Sequence, residues 1–246
     1  MNSRIVLLNL ISTFLLFALV VAASAQTRTV GVGVGNTFRY RATVSWSSND
    51  PSASPPSDLV DLNDTQWLGF TITAISGTNI TGQTTSHYKN GTETTTGGWV
   101  NVNTGDGENL TGLVISANLA AGDSLYTSLP FNTWIINETV PRTYLSGVRD
   151  TNHFNMPSSS GTQSYSTDQY WDKSTGVLVE ILQETTSQTG AYTTTSSEDI
   201  QIIYSNVSGW TVPEFPTWTS TLLILIALTS TTMVTARQRQ HKRPLR

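Results

Sequence analysis

Thr37-Phe38-Arg39-Tyr40-Arg41-Ala42-Thr43-Val44-Ser45-Trp46 decides the fold class. Phe38, Tyr40, Ala42, Val44 and Trp46 fall on one side of an extended chain, and Thr37, Arg39, Arg41, Thr43 and Ser45 on the other. That period of two is the pattern of a half-buried strand. Leu68, Phe70, Ile72 and Ala74 repeat it. Val177, Val179 and Ile181 oppose Leu178, Glu180 and Leu182, which predicts a strand buried on much of both faces. Ile200, Ile202 and Tyr204 close the series. No stretch between Gln26 and Val212 carries a 3.6-residue apolar stripe, and Asn118 to Ser124 has room for one short helical turn.

The punctuation between these runs is turn chemistry. Asn90-Gly91 after Tyr88 suits a tight hairpin with positive φ at both central residues. Asp172-Lys173-Ser174-Thr175-Gly176 suits a hairpin with Gly176 in the left-handed region. Gly77-Thr78-Asn79 and Gly122-Asp123 read as turns, and 48–57, with Pro51, Pro55 and Pro56, reads as a loop that cannot join a ladder. The expected domain is therefore all-β: an antiparallel meander of about eight to ten strands. It forms either one strongly curved sheet, a half-barrel over an apolar groove, or a sandwich.

The two ends set the organisation. Arg4, the apolar run Ile5 to Val21 and Ala23-Ser24-Ala25 have the layout of a secretory signal peptide over 1–25, with Gln26 as first mature residue. At the other end, Pro213-Glu214-Phe215-Pro216 leads into the apolar run Trp218 to Val234, and Arg237, Arg239, Lys242, Arg243 and Arg246 follow. Leu222 to Leu228 is apolar on every side, as a membrane-spanning helix requires and an amphipathic core helix does not. The cationic tail orients that helix with 213–246 ending in the cytoplasm and the β domain, 26–212, outside. Trp218 falls at the expected membrane interface.

Pro213-Glu214-Phe215-Pro216, the helix and the basic tail together resemble the PEF-type C-terminal sorting signal of archaeal surface proteins. The resemblance implies recognition by a membrane-embedded, archaeosortase-like transpeptidase, cleavage near the motif and transfer to a lipid or other anchor. Without such an enzyme the segment is an ordinary transmembrane anchor. The stretches Asn118-Leu119-Ala120-Ala121-Gly122-Asp123, Arg149-Asp150-Thr151-Asn152-His153 and Tyr170 to Leu178 also resemble an uncharacterised archaeal surface-protein family, which brings no activity with it.

Composition narrows the chemistry. The outer part holds seven basic and sixteen acidic residues, a net of −9, so nucleic acid is not an expected partner. The chain has no cysteine, which removes disulfide, thiol and iron–sulfur chemistry and leans toward a prokaryotic surface. Asn63, Asn79, Asn90, Asn109, Asn137 and Asn206 each begin an Asn-x-Ser/Thr acceptor on the outer side.

No constellation reaches a catalytic or cofactor signature. Gly31-x-Gly33-x-Gly35 lacks the preceding strand and following helix of a nucleotide loop. Asp58, Asp61 and Asp64 beside Asn63, and Asp106 with Glu108, are oxygen-rich, but neither has a calcium-loop spacing. His87 and His153 are the outer histidines, and Asp150 with His153 reads as a structural pair or a loop, since no Gly-x-Ser-x-Gly elbow is present. Trp46, Trp67, Trp99, Trp134, Tyr170, Trp171 and Trp210 could stack on sugars, yet core packing is the commoner use. The leading expectation is a non-enzymatic, membrane-anchored surface protein of the envelope or of adhesion, with no metal or cofactor. The alternatives are a lipid- or glycan-binding module using the curved sheet, and a surface hydrolase. A deep apolar cavity would favour the binding module. Facing carboxylates, or His153 bonded to Asp150 and a hydroxyl, would favour the hydrolase.

Overall fold

The computed structural model describes residues 27–210, Ser146 apart. The expected signal peptide (1–25), the motif Pro213–Pro216 and the apolar run from Trp218 lie outside the described residues. Among the described residues no helix is long and apolar enough to cross a membrane. The strands are β1 (Thr37–Ser48), β2 (Thr65–Ser76), β3 (Asn79–Tyr88), β4 (Glu93–Asn101), β5 (Gly107–Glu108), β6 (Glu138–Tyr144), β7 (Gly147–Ser160), β8 (Gln163–Asp172), β9 (Leu178–Thr189) and β10 (Tyr192–Ser205). They form one open antiparallel sheet in the order β5-β4-β3-β2-β1-β10-β9-β8-β7-β6, so the sandwich alternative is set aside.

The order has a consequence for the chain's ends. β1 to β5 step outward from the centre, and β6 to β10 step back from the opposite edge until β10 pairs β1. Phe38 lies opposite Ser205, so the chain enters and leaves the sheet at the same end. Asn206 bridges the two: its Oδ1 accepts the Thr37 N–H (2.8 Å) and its Nδ2 donates to the Gly35 carbonyl (2.9 Å).

The segment 109–137 carries the chain from one edge of the sheet to the other, and it is core rather than surface loop. Leu110, Val114, Ile115, Leu119, Leu125, Tyr126 and Ile136 are each at most 1% exposed. Val114, with Leu110, joins Phe38, Tyr40, Phe70, Ile72, Ile80 and Val100 in one apolar cluster. Ile115, Leu119, Leu125 and Tyr126 form a second with Phe154, Trp171 and Leu178. The backbone of this segment is satisfied where it meets the β8–β9 turn: Ile115 donates to the Gly176 carbonyl (2.9 Å) and Leu178 to that of Leu113 (2.9 Å). An irregular segment can be buried only if its peptide groups find such partners.

Four local expectations need correction. Ser57–Asp64 is a short helix, α1, following Pro56. Its apolar side is too brief for a stripe, since only Leu59 is buried. Asn118 to Ser124 is not helical; Asn118 instead takes φ of 60°. The register shifts between Ile72 and Ala74, which turns Ala74 outward and brings Ile75 onto the core. At Asn90-Gly91 only Gly91 has positive φ (85°), and Gly91 donates to the Tyr88 carbonyl (2.9 Å). The loop is therefore a three-residue turn with glycine in the left-handed position. Gly176 has φ of 72°, as the sequence implied, and Val177 with the start of β9 (Leu178, Val179 and Glu180) is buried on both faces.

Tyr126 gives the core a pH signature. Its hydroxyl accepts the Gly112 N–H (3.0 Å) and donates to the Val114 carbonyl (3.3 Å). Burial pushes its pKa up to about 12 from an ordinary 10.0, against the lowering influence of the Gly112 bond. Burial raises Tyr40 as well. Above pH 10 the unfolded chain releases a proton that the folded chain keeps. The stability is thus intact below that pH and lost as pH rises toward 12. Unfolding free energy is expected to fall in this window, with about 2–3 kcal/mol from Tyr126 alone. Denaturant titrations across the window check this, and Tyr126→Phe should flatten the slope.

Candidate functional site

An apolar cleft opens on the face that carries Phe38 and Tyr40. Tyr40, Leu68, Phe70, Leu113, Leu178, Ile181 and Ile200 line it beside Thr84 to Ser86, and its volume is about 190 Å³. Leu113 comes from the 109–137 crossover, which fills the rest of this face. The Tyr40 hydroxyl is spent on the Leu178 carbonyl (2.8 Å), so the lining offers little polar chemistry. Sites for small molecules commonly measure about 300–1,000 Å³. This cleft admits a short apolar group and little more.

Opposite Ile181 on β9, the other face of the sheet carries a buried carboxylate. Glu180 is 4% exposed and pairs across the ladder with Tyr170 and Gln201. Its Oε2 accepts from Arg142 Nη2 (2.6 Å) and from the Tyr144 hydroxyl (2.6 Å). Arg142 in turn lies over the Tyr170 ring at 4.0 Å. Burial, and the Glu180 carboxylate beside it, push the Tyr144 phenol far above its ordinary range. Gln201 Nε2 approaches the other oxygen, Oε1, at 3.4 Å, so both carboxylate oxygens face donors from within the sheet.

His153 sits next to it with both ring nitrogens occupied. Nδ1 faces Glu138 Oε1 (3.0 Å), Nε2 faces Asp168 Oδ1 (2.6 Å), and the ring stacks on Tyr170 at 4.4 Å. The expected Asp150–His153 pair does not form: Asp150 lies opposite Pro141, and His153 opposite Glu138. Neighbouring residues on a strand point to opposite sides, so a separation of three cannot bring these two side chains together. His87 is held by Glu93 (2.7 Å) and stacks on Trp67 (5.1 Å), whose ring also carries Arg39 at 4.4 Å. Among the described residues no hydroxyl is hydrogen-bonded to either imidazole.

The remaining sequence candidates resolve into structure. Gly31 admits no side chain, because a Cβ there would lie 2.7 Å from Ala117 and Ser174, whereas Gly35 has open space and a φ of 85° at the turn into β1. Asp58, Asp61 and Asp64 are exposed on α1. Among the described residues no group of three potential ligands converges on a metal position. Trp171 is buried with Nε1 on the Gly112 carbonyl (2.8 Å), and Trp134 stacks on Phe154 at 5.7 Å. Trp99, at 41% exposure, is the large aromatic of the set most open to solvent.

One cluster was not anticipated from the sequence. Asp172, 2% exposed, accepts on Oδ1 from Ser174 Oγ (2.6 Å), the Thr175 N–H (2.8 Å) and Thr175 Oγ1 (2.7 Å), and on Oδ2 from Arg149 Nε (2.5 Å). Arg149 also donates to the Gly209 carbonyl (3.1 Å) and lies over the Trp210 ring at 4.4 Å. The signal that could have found it is the Asp172-x-Ser174-Thr175 turn, in which a carboxylate meets its own loop's donors.

All six Asn-x-Ser/Thr asparagines are exposed. Their side-chain amides are not equivalent. Asn109 Nδ2 is bonded to the Gly97 carbonyl (2.9 Å), and Asn206 is engaged at both amide atoms. Asn79 and Asn137 accept through Oδ1, from Asn101 (2.9 Å) and from the Asn155 N–H (2.7 Å). Asn90 Oδ1 accepts from the N–H (2.9 Å) and the hydroxyl (2.7 Å) of Thr92.

No family model matches the chain, and no curated protein matches it. Among solved structures it is similar to the zebrafish ileal bile acid-binding protein complexed with cholic acid. The identity is 12%, the match covers 69% of this chain and 98% of that one, and the TM-score is 0.19. A similarity of that size assigns neither fold nor ligand.

Proposed function

We propose that this chain is a membrane-anchored cell-surface protein, archaeal by its sorting signal, whose β domain contributes to the envelope or to adhesion without catalysing a reaction. The observation that carries the reading is where the domain closes. Trp210 is 2% exposed, edge-on to Phe38 at 5.7 Å, and Pro213 follows three positions later in the sequence. A chain spans at most roughly 3.3–3.6 Å per residue. From Trp210 to Trp218 the domain therefore stands within roughly 30 Å of the expected membrane boundary. The acidic outer domain, the apolar run and the cationic end support the same orientation. The test is fractionation of cells making the full chain, followed by intact mass. The expected product is membrane-bound, begins at Gln26 and has lost the segment after the motif. Retention of Trp218–Arg246 would remove the sorting step but keep the anchor. A soluble chain with its leader intact would overturn the proposal.

The apolar cleft favours one second reading, a module that seats the end of a lipid chain between Phe70 and Ile181. Mass spectrometry under native conditions distinguishes it, since a bound lipid would survive gentle release from detergent.

A further inference from the structure

We propose that Asn90 is the preferred N-glycan acceptor of this chain and that the fold excludes Asn109 and Asn206. The inference rests on the outside placement of the β domain proposed above. It is carried by side-chain geometry that is independent of that placement.

Transfer of a sugar to asparagine joins Nδ2 to C1 of an oligosaccharide carried on a lipid phosphate. The C1–O bond to the phosphate breaks, the lipid phosphate leaves with the electron pair, and a proton passes from Nδ2 to a general base of the transferase. The nitrogen must therefore be reachable and unbonded, and negative charge gathers on Oδ1 as the proton departs. Donors aimed at that oxygen stabilise the charge. Asn90 meets each requirement. It is exposed at the tip of the β3–β4 hairpin, with Gly91 at φ of 85° beside it. Its Nδ2 has no partner among the described residues, while its Oδ1 receives the Thr92 N–H and hydroxyl. The acceptor's own threonine thus supplies both donors.

The others depart from this in identifiable ways. Asn109 Nδ2 is held by the Gly97 carbonyl, and Leu110 beside it is fully buried, which fixes the backbone. Asn206 is pinned at Oδ1 and Nδ2 by Thr37 and Gly35, the contact that joins the ends of the sheet. Asn79 lies in β3, paired with both Ser76 and Asn101, so its acceptor triplet cannot loop. At Asn63 and Asn137 the partner hydroxyls are spent elsewhere, Thr65 on the Asp61 carbonyl (2.9 Å) and Thr139 on Asn152 (2.8 Å).

The test compares the folded full chain in detergent with peptides from its own proteolytic digest. Each is incubated with an oligosaccharyltransferase and its lipid-linked oligosaccharide, and glycopeptides are quantified. In the folded chain Asn90 is expected to be modified at least about tenfold more than Asn109 or Asn206, the effect of one retained hydrogen bond. In the peptides the three should be comparable. Asn90→Gln should remove most of the folded chain's glycan. Equal modification of Asn109 or Asn206 in the folded chain, or a bare Asn90, would overturn the inference. Membrane fractionation reads the anchoring separately, so a bound chain glycosylated at Asn109 defeats this inference alone.

Discussion

Gly176→Ala should unfold most of the domain's margin of stability, by about 3–5 kcal/mol, and lower Tm by roughly 10 °C. Two costs combine at this position. The backbone has φ of 72°, which an L side chain resists by about 1–2 kcal/mol. A Cβ would also lie 2.1 Å from the Ile115 carbonyl oxygen, a backbone atom that cannot rotate away. That carbonyl belongs to the 109–137 crossover, and Ile115 in turn donates to Gly176 (2.9 Å). Pushing the strands apart would therefore break the contact through which the crossover fills the core. Gly91→Ala is the matched control. Its φ is 85°, yet no atom lies within 4 Å of the added methyl. Only the conformational cost, about 1–2 kcal/mol, should appear. Equal losses at the two positions in denaturant titrations would show that strain alone acts, and that the crossover is not docked as described.

Phe38 and Tyr40 announced β1 because a strand's two faces differ in solvent exposure, and that difference is written every second residue. Val177 to Leu182 announced a strand buried on both sides for the same reason. The crossover carried no such signature. Leu110, Val114, Ile115 and Leu119 are buried at irregular spacing, because an irregular backbone has no period to impose. Its role depends on long-range partners, Gly176 and Leu178 above all, that no window of sequence contains. The bulge at Ile72/Ala74 was hidden likewise, since the choice between Ala74 and Ile75 is made by β3 across the ladder.

The candidate sites follow the same division. His153 was visible as a polar residue in a polar stretch, but its partners Glu138 and Asp168 arrive from β6 and β8. Sequence proximity pointed to Asp150, and strand alternation sends that side chain to the other face. The Asn90 geometry was half legible. The Asn-Gly pair marked a hairpin tip, while the glycine-only positive φ that lets Thr92 fold back onto Asn90 belongs to the three-residue loop actually adopted.

Asp172→Ala is expected to cost about 2–4 kcal/mol, because it leaves the buried Thr175 N–H without its acceptor and the part-buried Arg149 without its carboxylate. Arg149 and Asp172 are 15% and 2% exposed at their side chains, so water can replace the lost carboxylate only in part. Asp172→Asn keeps an oxygen for Thr175 but removes the charge from Arg149, and an intermediate loss of about 1–3 kcal/mol should follow. Arg149→Met set beside Asp172→Ala separates two mechanical roles. Oδ1 closes the β8–β9 turn through Ser174 and Thr175, whereas Oδ2 holds Arg149, which grips Gly209 and covers Trp210. The second role fastens the last part of the domain before Pro213. Hydrogen exchange distinguishes them. Arg149→Met should raise exchange over 206–210 while leaving Thr175 and Gly176 protected, and Asp172→Ala should expose both regions. Unchanged protection over 206–210 in Arg149→Met would mean that Phe38 and Trp210 hold the end by packing alone. Loss of protection would mean that one buried carboxylate, set by the β8–β9 turn, keeps the domain's exit rigid where the proposed membrane tether begins.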